Sequence, residues 1–169
     1  MGYRIRPANA DDVRSIYALV LALAEYEQLT HLVTATEDDL REALFGRRAH
    51  VEALVAETTD ADGRGEPRSV VGFALYFHNF STFLGRRGLY LEDLFVLPAQ
   101  RRRGIGRAML ARLAATAVER GCGRLEWSVL DWNSTAIAFY ENIGATLLPD
   151  WRIVRMTGEP LRSLGGGCR

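Results

Sequence analysis

The stretch that most constrains this chain is residues 89–121, LYLEDLFVLPAQRRRGIGRAMLARLAATAVERG. It reads as a strand, a short glycine-containing loop and a long helix. Leu89 to Leu97 is apolar, aromatic and β-branched, interrupted only by Glu92 and Asp93, and Pro98 ends it. Ile105, Met109, Leu113 and Ala117 recur at helical spacing, and Gly121 stands where a C-terminal cap glycine belongs. Between strand and helix lies Arg101-Arg102-Arg103-Gly104-Ile105-Gly106. Two glycines allow a tight turn, and the first-turn amides of a helix lack intrahelical partners. With the positive end of the helix dipole, that makes an anion site. The three arginines add charge, so a phosphate-bearing ligand is the natural reading; a plain tight turn is the competing one.

Two common phosphate-loop readings fail. A dinucleotide fingerprint wants a third glycine at position 109, where Met109 stands. A nucleoside-triphosphate loop ends in Gly-Lys-Ser/Thr, and the chain contains no lysine: all 21 basic residues are arginine. They balance 21 acids, and a net charge of zero argues against nucleic acid as the main partner. A length of 169 residues, 48% of them hydrophobic, suits one domain with a real core. We expect that domain at 3–160, followed by a tail at 161–169. Cys122 and Cys168 lack metal-ligand spacing and suggest no disulfide framework, and His31, His50 and His78 show no ligand spacing either. No metal is expected. Without a signal peptide or a membrane-length apolar run, a cytoplasmic location is the default expectation.

Along the rest of the chain, Tyr3–Arg6 reads as a strand closed by Pro7. Asp11 or Asp12 caps a helix running to about Glu27. Thr36, with Asp39 three residues on, opens a second helix that Gly46 ends. Val51–Glu57 and Ser69–Phe80 read as strands around a turn-rich loop at 58–67, and Ser81–Gly88 as a loop. Beyond the central unit, Arg124–Leu130 reads as a strand and Asn133 caps a helix to about Asn142. Trp151–Met156 reads as a last strand, and Leu164–Arg169 as a loose tail. The pattern predicts an α/β domain with a mixed, mostly antiparallel sheet flanked by helices.

The R-x-x-G-x-G at Arg101–Gly106 resembles that of the GCN5-related N-acetyltransferase (GNAT) family. The likeness runs from Ile5-Arg6-Pro7-Ala8 through Tyr90-Leu91-Glu92-Asp93 to Trp151-Arg152. Trp132-Asn133, Phe139-Tyr140 and Gly144-Ala145 make it most similar to the diamine and thialysine acetyltransferase branch. The resemblance implies a central sheet whose two parallel strands, here Leu89–Leu97 and Arg124–Leu130, splay apart to admit the pantetheine arm of acetyl-CoA. It implies that the backbone of Arg101, Arg102, Arg103, Gly104, Ile105, Gly106 and Arg107 holds the pyrophosphate. Phe95 and Val96 would bind pantetheine and the oxyanion through their backbone, and Asn133 would touch the pantetheine arm. Relatives in this branch are homodimers.

The same resemblance assigns the chemistry. An alkyl ammonium has a pKa near 10.4, so it must lose a proton before it can attack. Glu92 is the implied general base, acting through water, and Tyr140 is the implied acid that protonates the departing thiolate. Asp93 faces the other side of a regular strand, unless a bulge brings it round. Glu27, Glu92, Asp93 and Trp151 are candidate substrate residues, with Tyr26 or Phe83 as walls. The loop at Ser81-Thr82-Phe83 lacks the acid and tryptophan of polyamine enzymes, and Pro149 replaces an acid before Trp151. These departures leave smaller amines and lysine-like amino acids as acceptors, with Arg86, Arg87 or Arg152 available for a carboxylate. The expected function is acetyl-CoA-dependent acetylation of a small primary amine. A non-catalytic acyl-CoA-binding protein and a protein N-acetyltransferase are the alternatives.

Overall fold

The computed structural model describes residues 2–59 and 68–166, and these divide into two compact units, one ending at Ser128 and one from Val129 onward. In the first unit the order is β1 (Gly2–Pro7), α1 (Val13–Tyr26), α2 (Glu37–Phe45), β2 (Glu52–Thr59), β3 (Val70–Ser81), β4 (Arg86–Val96), α3 (Ile105–Glu119) and β5 (Leu125–Trp127). The strands form one sheet in sequence order. β1 to β4 are antiparallel neighbours, and β5 runs parallel to β4. The mixed, mostly antiparallel sheet expected from the sequence is present.

Each face of the sheet is covered by what its alternation dictates. Ala53, Val55, Phe73, Leu75 and Phe95 point to one side, where Ile16 and Leu19 of α1 and Leu44 of α2 close a buried cluster over them. Leu89 and Leu91, out of phase with that set, are fully buried, as are Ile105, Met109 and Leu113 of α3. Full burial of each such side chain contributes roughly 1.5–3 kcal/mol. Tyr76 and Arg120 both reach Glu52, the latter with an Nη2–Oε2 distance of 2.8 Å, which ties the end of α3 to β2 and β3. Gly121 takes φ +67°, the left-handed turn that stops α3.

Thr36 and Asp39 form the reciprocal cap of α2, as expected. At α1 the cap sits elsewhere. A 3-10 turn at Ala10–Asp12 precedes the helix, and Asn9 accepts from the Asp11 amide at 2.9 Å. Asp12 gives no side-chain cap to α1; its carboxylate receives Arg6 Nη1 and Nη2 at 2.6 and 2.8 Å. Arg6 also reaches Glu57 at 3.0 Å, so a part-buried ion cluster joins β1, β2 and the entry to α1.

Several boundaries differ from the sequence reading. β4 begins at Arg86, so the loop before it is only residues 82–85, turned by Gly85 at φ +60°. β2 runs on to Thr59, while 60–67 of the expected turn-rich loop lie outside the described residues. β5 spans three residues where Arg124–Leu130 was expected. In the second unit Asn133 caps α4 (Ser134–Asn142), accepting from the Ala136 amide at 3.2 Å. Trp151–Met156 is not a strand; it is irregular chain without ladder partners among the described residues. Residues 161–166, read as tail, complete α5 (Gly158–Gly166), and 167–169 lie outside the described residues.

Candidate active site

β4 carries the centre of the site because its ladder is interrupted in two ways. On the β3 side the register skips a residue: Tyr76 pairs with Leu91, Leu75 pairs with Asp93, and Glu92 has no partner. Glu92 is therefore a bulge residue, and the extra position reverses the alternation beyond it. Tyr90 packs ring to ring with Phe77 at 5.2 Å, and Phe95 joins the cluster under α1. Asp93, opposite Leu75, falls on that same face. The bulge that could bring Asp93 round is present, and Glu92 is left exposed.

On the β5 side the parallel ladder covers only Leu89 to Leu91. From residue 92 to Val96, β4 has no strand hydrogen-bonded to it there among the described residues. Alternate backbone amides of this segment therefore have no ladder partner on that side. Phe95 and Val96 lie in it. The side chain of Phe95 is buried core, so only its backbone is available to a ligand.

α1 ends directly above this point. The Tyr26 ring stands 6.4 Å from that of Phe95, and the Arg101 guanidinium lies 4.5 Å from the Tyr26 centroid. Glu27 follows on the same helix end. Burial pushes the Asp93 carboxyl up to about 6, with the negative charges of Glu92 and Glu27 adding to the shift. Burial also raises Glu27. Three carboxyl groups thus share a partly desolvated corner with no ion pair to a basic side chain among the described residues, a place that favours a cationic guest.

The loop after β4 meets the requirements of a phosphate cradle. Gly104 is the N-cap of α3 at φ +82°, and no side chain caps the helix. Arg102 also takes a positive φ, +62°. A methyl group added at Gly106 would meet nothing within 4 Å, so space lies open beside the first turn. Arg102 and Arg107 are exposed beside it. The Arg101 side chain is engaged within the fold: its Nε donates to the Val96 carbonyl at 3.0 Å while its guanidinium lies over Tyr26 and Phe95. Arg103 donates to Gln100. Ile105 is a core residue whose backbone alone can reach the loop.

Comparison with known proteins decides the family. The Acetyltransferase (GNAT) family model matches residues 15–145. The chain belongs to the GNAT acetyltransferases. Mouse thialysine N-epsilon-acetyltransferase is 39% identical over 96% of this chain and 97% of its own length. Arabidopsis L-ornithine N5-acetyltransferase is 34% identical over 95% of this chain and 87% of its own. An integron cassette protein from V. cholerae superposes with a TM-score of 0.76 at 28% identity, covering 98% of both chains. This GNAT chain is an N-acetyltransferase.

Of the residues expected to act in a GNAT enzyme, the first unit brings together Glu27, Glu92, Asp93, Phe95, Val96 and the loop Arg101–Arg107. Asn133, Tyr140 and Trp151 belong to the second unit. There Tyr140 is half-buried with its ring 5.5 Å from that of Phe139, and Trp151 is largely exposed. The sequence reading missed a polar group on the site's own sheet face. Asn79, Arg124 and Glu126 converge around Gly88, with Asn79 Nδ2 donating to Glu126 Oε2 at 3.0 Å. Their meeting depends on strand register, which no local pattern reveals. No helix among the described residues is long and apolar enough to cross a membrane.

Proposed function

We propose that this enzyme transfers the acetyl group of acetyl-CoA to a terminal amine of a small molecule. The observation that carries the reading is the bulge at Glu92. It sets an exposed carboxylate and a half-buried one side by side, in the strand that leads into an uncapped helix N-terminus. The uncapped turn, the space at Gly106 and the exposed Arg102 and Arg107 fit a pyrophosphate. The named activities of the mouse and Arabidopsis relatives support an amino-acid or diamine acceptor.

In this reading each group has one task. Asp93 and Glu27 hold the incoming ammonium in the low-dielectric corner under α1. Glu92, facing solvent at the bulge, accepts the amine's proton through water. Backbone amides around Phe95 and Val96 donate to the carbonyl oxygen as charge develops on it. Tyr140 gives its proton to the departing thiolate, and Asn133 contacts the pantetheine arm. Trp151 contributes to the acceptor site.

The enzyme is further proposed to act as a homodimer. Trp151, Ile153 and Val154 are 76%, 72% and 93% exposed, on a segment with no ladder partner among the described residues. Apolar exposure on that scale marks an interaction surface. Thiol release from acetyl-CoA, scored over a panel of diamines, basic amino acids and peptides, tests the activity. Turnover with small amines is expected. Turnover confined to peptides, or CoA binding with no turnover on any amine, would overturn it.

A further inference from the structure

A cavity of about 300 Å³ opens at the rim of the sheet, apart from the carboxylate corner and the phosphate cradle. Its origin is local. The β1 ladder stops at Pro7, opposite Leu54, so the first residues of β2 have no strand beside them on that edge. Only the Ala8 amide follows, donating to the Ala53 carbonyl at 2.9 Å. Leu44 and Phe45 at the end of α2, with Leu54 of β2, give the cavity an apolar wall. Facing them is the second half of α3, with Arg112 and the capping residue Arg120. Tyr76 and Glu52 form the polar end between the two walls. Leu75 joins the cluster under α1, so its neighbour Tyr76 points to the opposite face, toward α3.

The charges at the polar end are unequally matched. Glu52 Oε2 accepts from Arg120 Nη2 at 2.8 Å and from the Tyr76 hydroxyl at 3.3 Å. The Arg120 hydrogen bond holds the Glu52 carboxyl below its ordinary range, so this pair is ionised and mutually neutralised. Burial, then the Glu52 charge, pushes the Tyr76 hydroxyl up to about 12, so it stays a donor. The Arg112 charge opposes that rise, which puts its guanidinium within electrostatic reach of the Tyr76 hydroxyl. Yet the Arg112 guanidinium makes no hydrogen bond or ion pair among the described residues. Glu119, the last residue of α3, is the other charge on the rim. It is exposed, where water and salt screen it, and lies two helical turns, roughly 10 Å, from Arg112.

We propose that this cavity is a second ligand site, separate from the acetyl-transfer site, and that it takes a small monocarboxylate with an apolar body. Arg112 pairs with the carboxylate in a charge-assisted contact. The body lies against Leu44, Phe45 and Leu54, where it removes apolar surface from water. The volume stands at the lower end of the range for small-molecule pockets, which suits a ligand of roughly ten to fifteen heavy atoms. One negative charge is what the site answers, because Arg120 is committed to Glu52 and Glu119 repels a second anion. An amine would meet the Arg112 charge, so the cavity refuses the class of molecule that the carboxylate corner favours.

The test is an NMR titration of the isotope-labelled full chain with 3-phenylpropanoate, run with and without CoA, beside the neutral match 3-phenylpropan-1-ol. Saturable binding with a Kd of about 1 mM or tighter is expected for the carboxylate, unchanged by CoA. Shifts should gather at the amides of Phe45, Tyr76, Arg112 and Thr116 and spare Glu92 and the loop at Gly104. The alcohol should bind at least about tenfold more weakly, and Arg112→Gln should weaken the carboxylate by a similar factor. Arg112→Lys should keep part of the affinity, whereas Glu119→Gln should tighten it by about twofold at low salt. Arg112 is exposed on α3 and glutamine is as good a helix former, so the variant should fold. If its melting midpoint shows otherwise, Arg112→Lys and Glu119→Gln decide. No saturable binding to wild type would overturn the site. So would equal binding of the alcohol, displacement by CoA, or affinity unmoved in folded Arg112 variants.

Discussion

Asp93 shows how one extra residue in a strand changes a side chain's chemistry. With regular pairing it would face away from Tyr90's neighbours; the bulge at Glu92 turns it under the end of α1. There it keeps its proton to about pH 6, whereas the unfolded chain releases it near the ordinary value of 3.8. The native state binds more protons across that window. Asp93's influence is therefore least costly below about pH 4, erodes stability as pH rises to 6, and stays unfavourable above. Asp93→Asn should raise stability at pH 8 by on the order of 2 kcal/mol and flatten the decline between pH 4 and 6. The same variant should raise KM for the amine, because the anion proposed to hold the ammonium is gone. Denaturant melts at pH 4, 6 and 8, beside Michaelis curves, check both halves. A variant equally stable at each pH as wild type, with unchanged KM, would remove Asp93 from the site.

At the scale of the element, the loop and first turn of α3 carry the cofactor argument. Gly104 holds a left-handed backbone, whereas Gly106 borders open space, so the two glycines should fail differently. Gly106→Val costs nothing in helix propensity, since valine ranks above glycine in a helix, and it fills the region an anion would occupy. Its melting point should stay near wild type while acetyl-CoA affinity falls at least about tenfold by calorimetry. Undiminished affinity in a folded Gly106→Val enzyme would argue against a pyrophosphate at this turn. This element was legible in the sequence, since glycines, helical spacing and a C-terminal glycine are local signals. The Thr36–Asp39 cap was legible for the same reason. The bulge was visible only as a possibility, because register is set by what β3 offers. Arg101's place over Tyr26 and Phe95 was hidden too, since it joins segments 75 residues apart in number only through the fold.

For the whole molecule, the second unit shows where local pattern misleads. Trp151–Met156 has the apolar, β-branched character of a strand, yet a strand needs a ladder, and none among the described residues supplies one. If a second copy covers this segment, light scattering at micromolar concentration should return about twice the chain mass of 18.9 kDa. A single-chain mass would remove the dimer from the account. The fold class was readable from the succession of strand and helix patterns, and the family from the resemblance carried by Arg101–Gly106, Tyr90–Asp93, Trp132-Asn133 and Phe139-Tyr140. The chemistry was readable only as residue types: the roles proposed for Glu92 and Tyr140 rest on the family resemblance, and the reaction tests them. The decisive measurement is kcat against pH, from 6 to 10, for wild type, Glu92→Gln and Tyr140→Phe. Tyr140→Phe should lose about 10²- to 10⁴-fold in kcat with acetyl-CoA affinity nearly intact, since only the proton is removed. Glu92→Gln should be most impaired near neutrality and recover toward the amine's own pKa, where free amine is abundant. Near-wild-type kcat in both variants across the whole range would contradict the proposed acid–base chemistry.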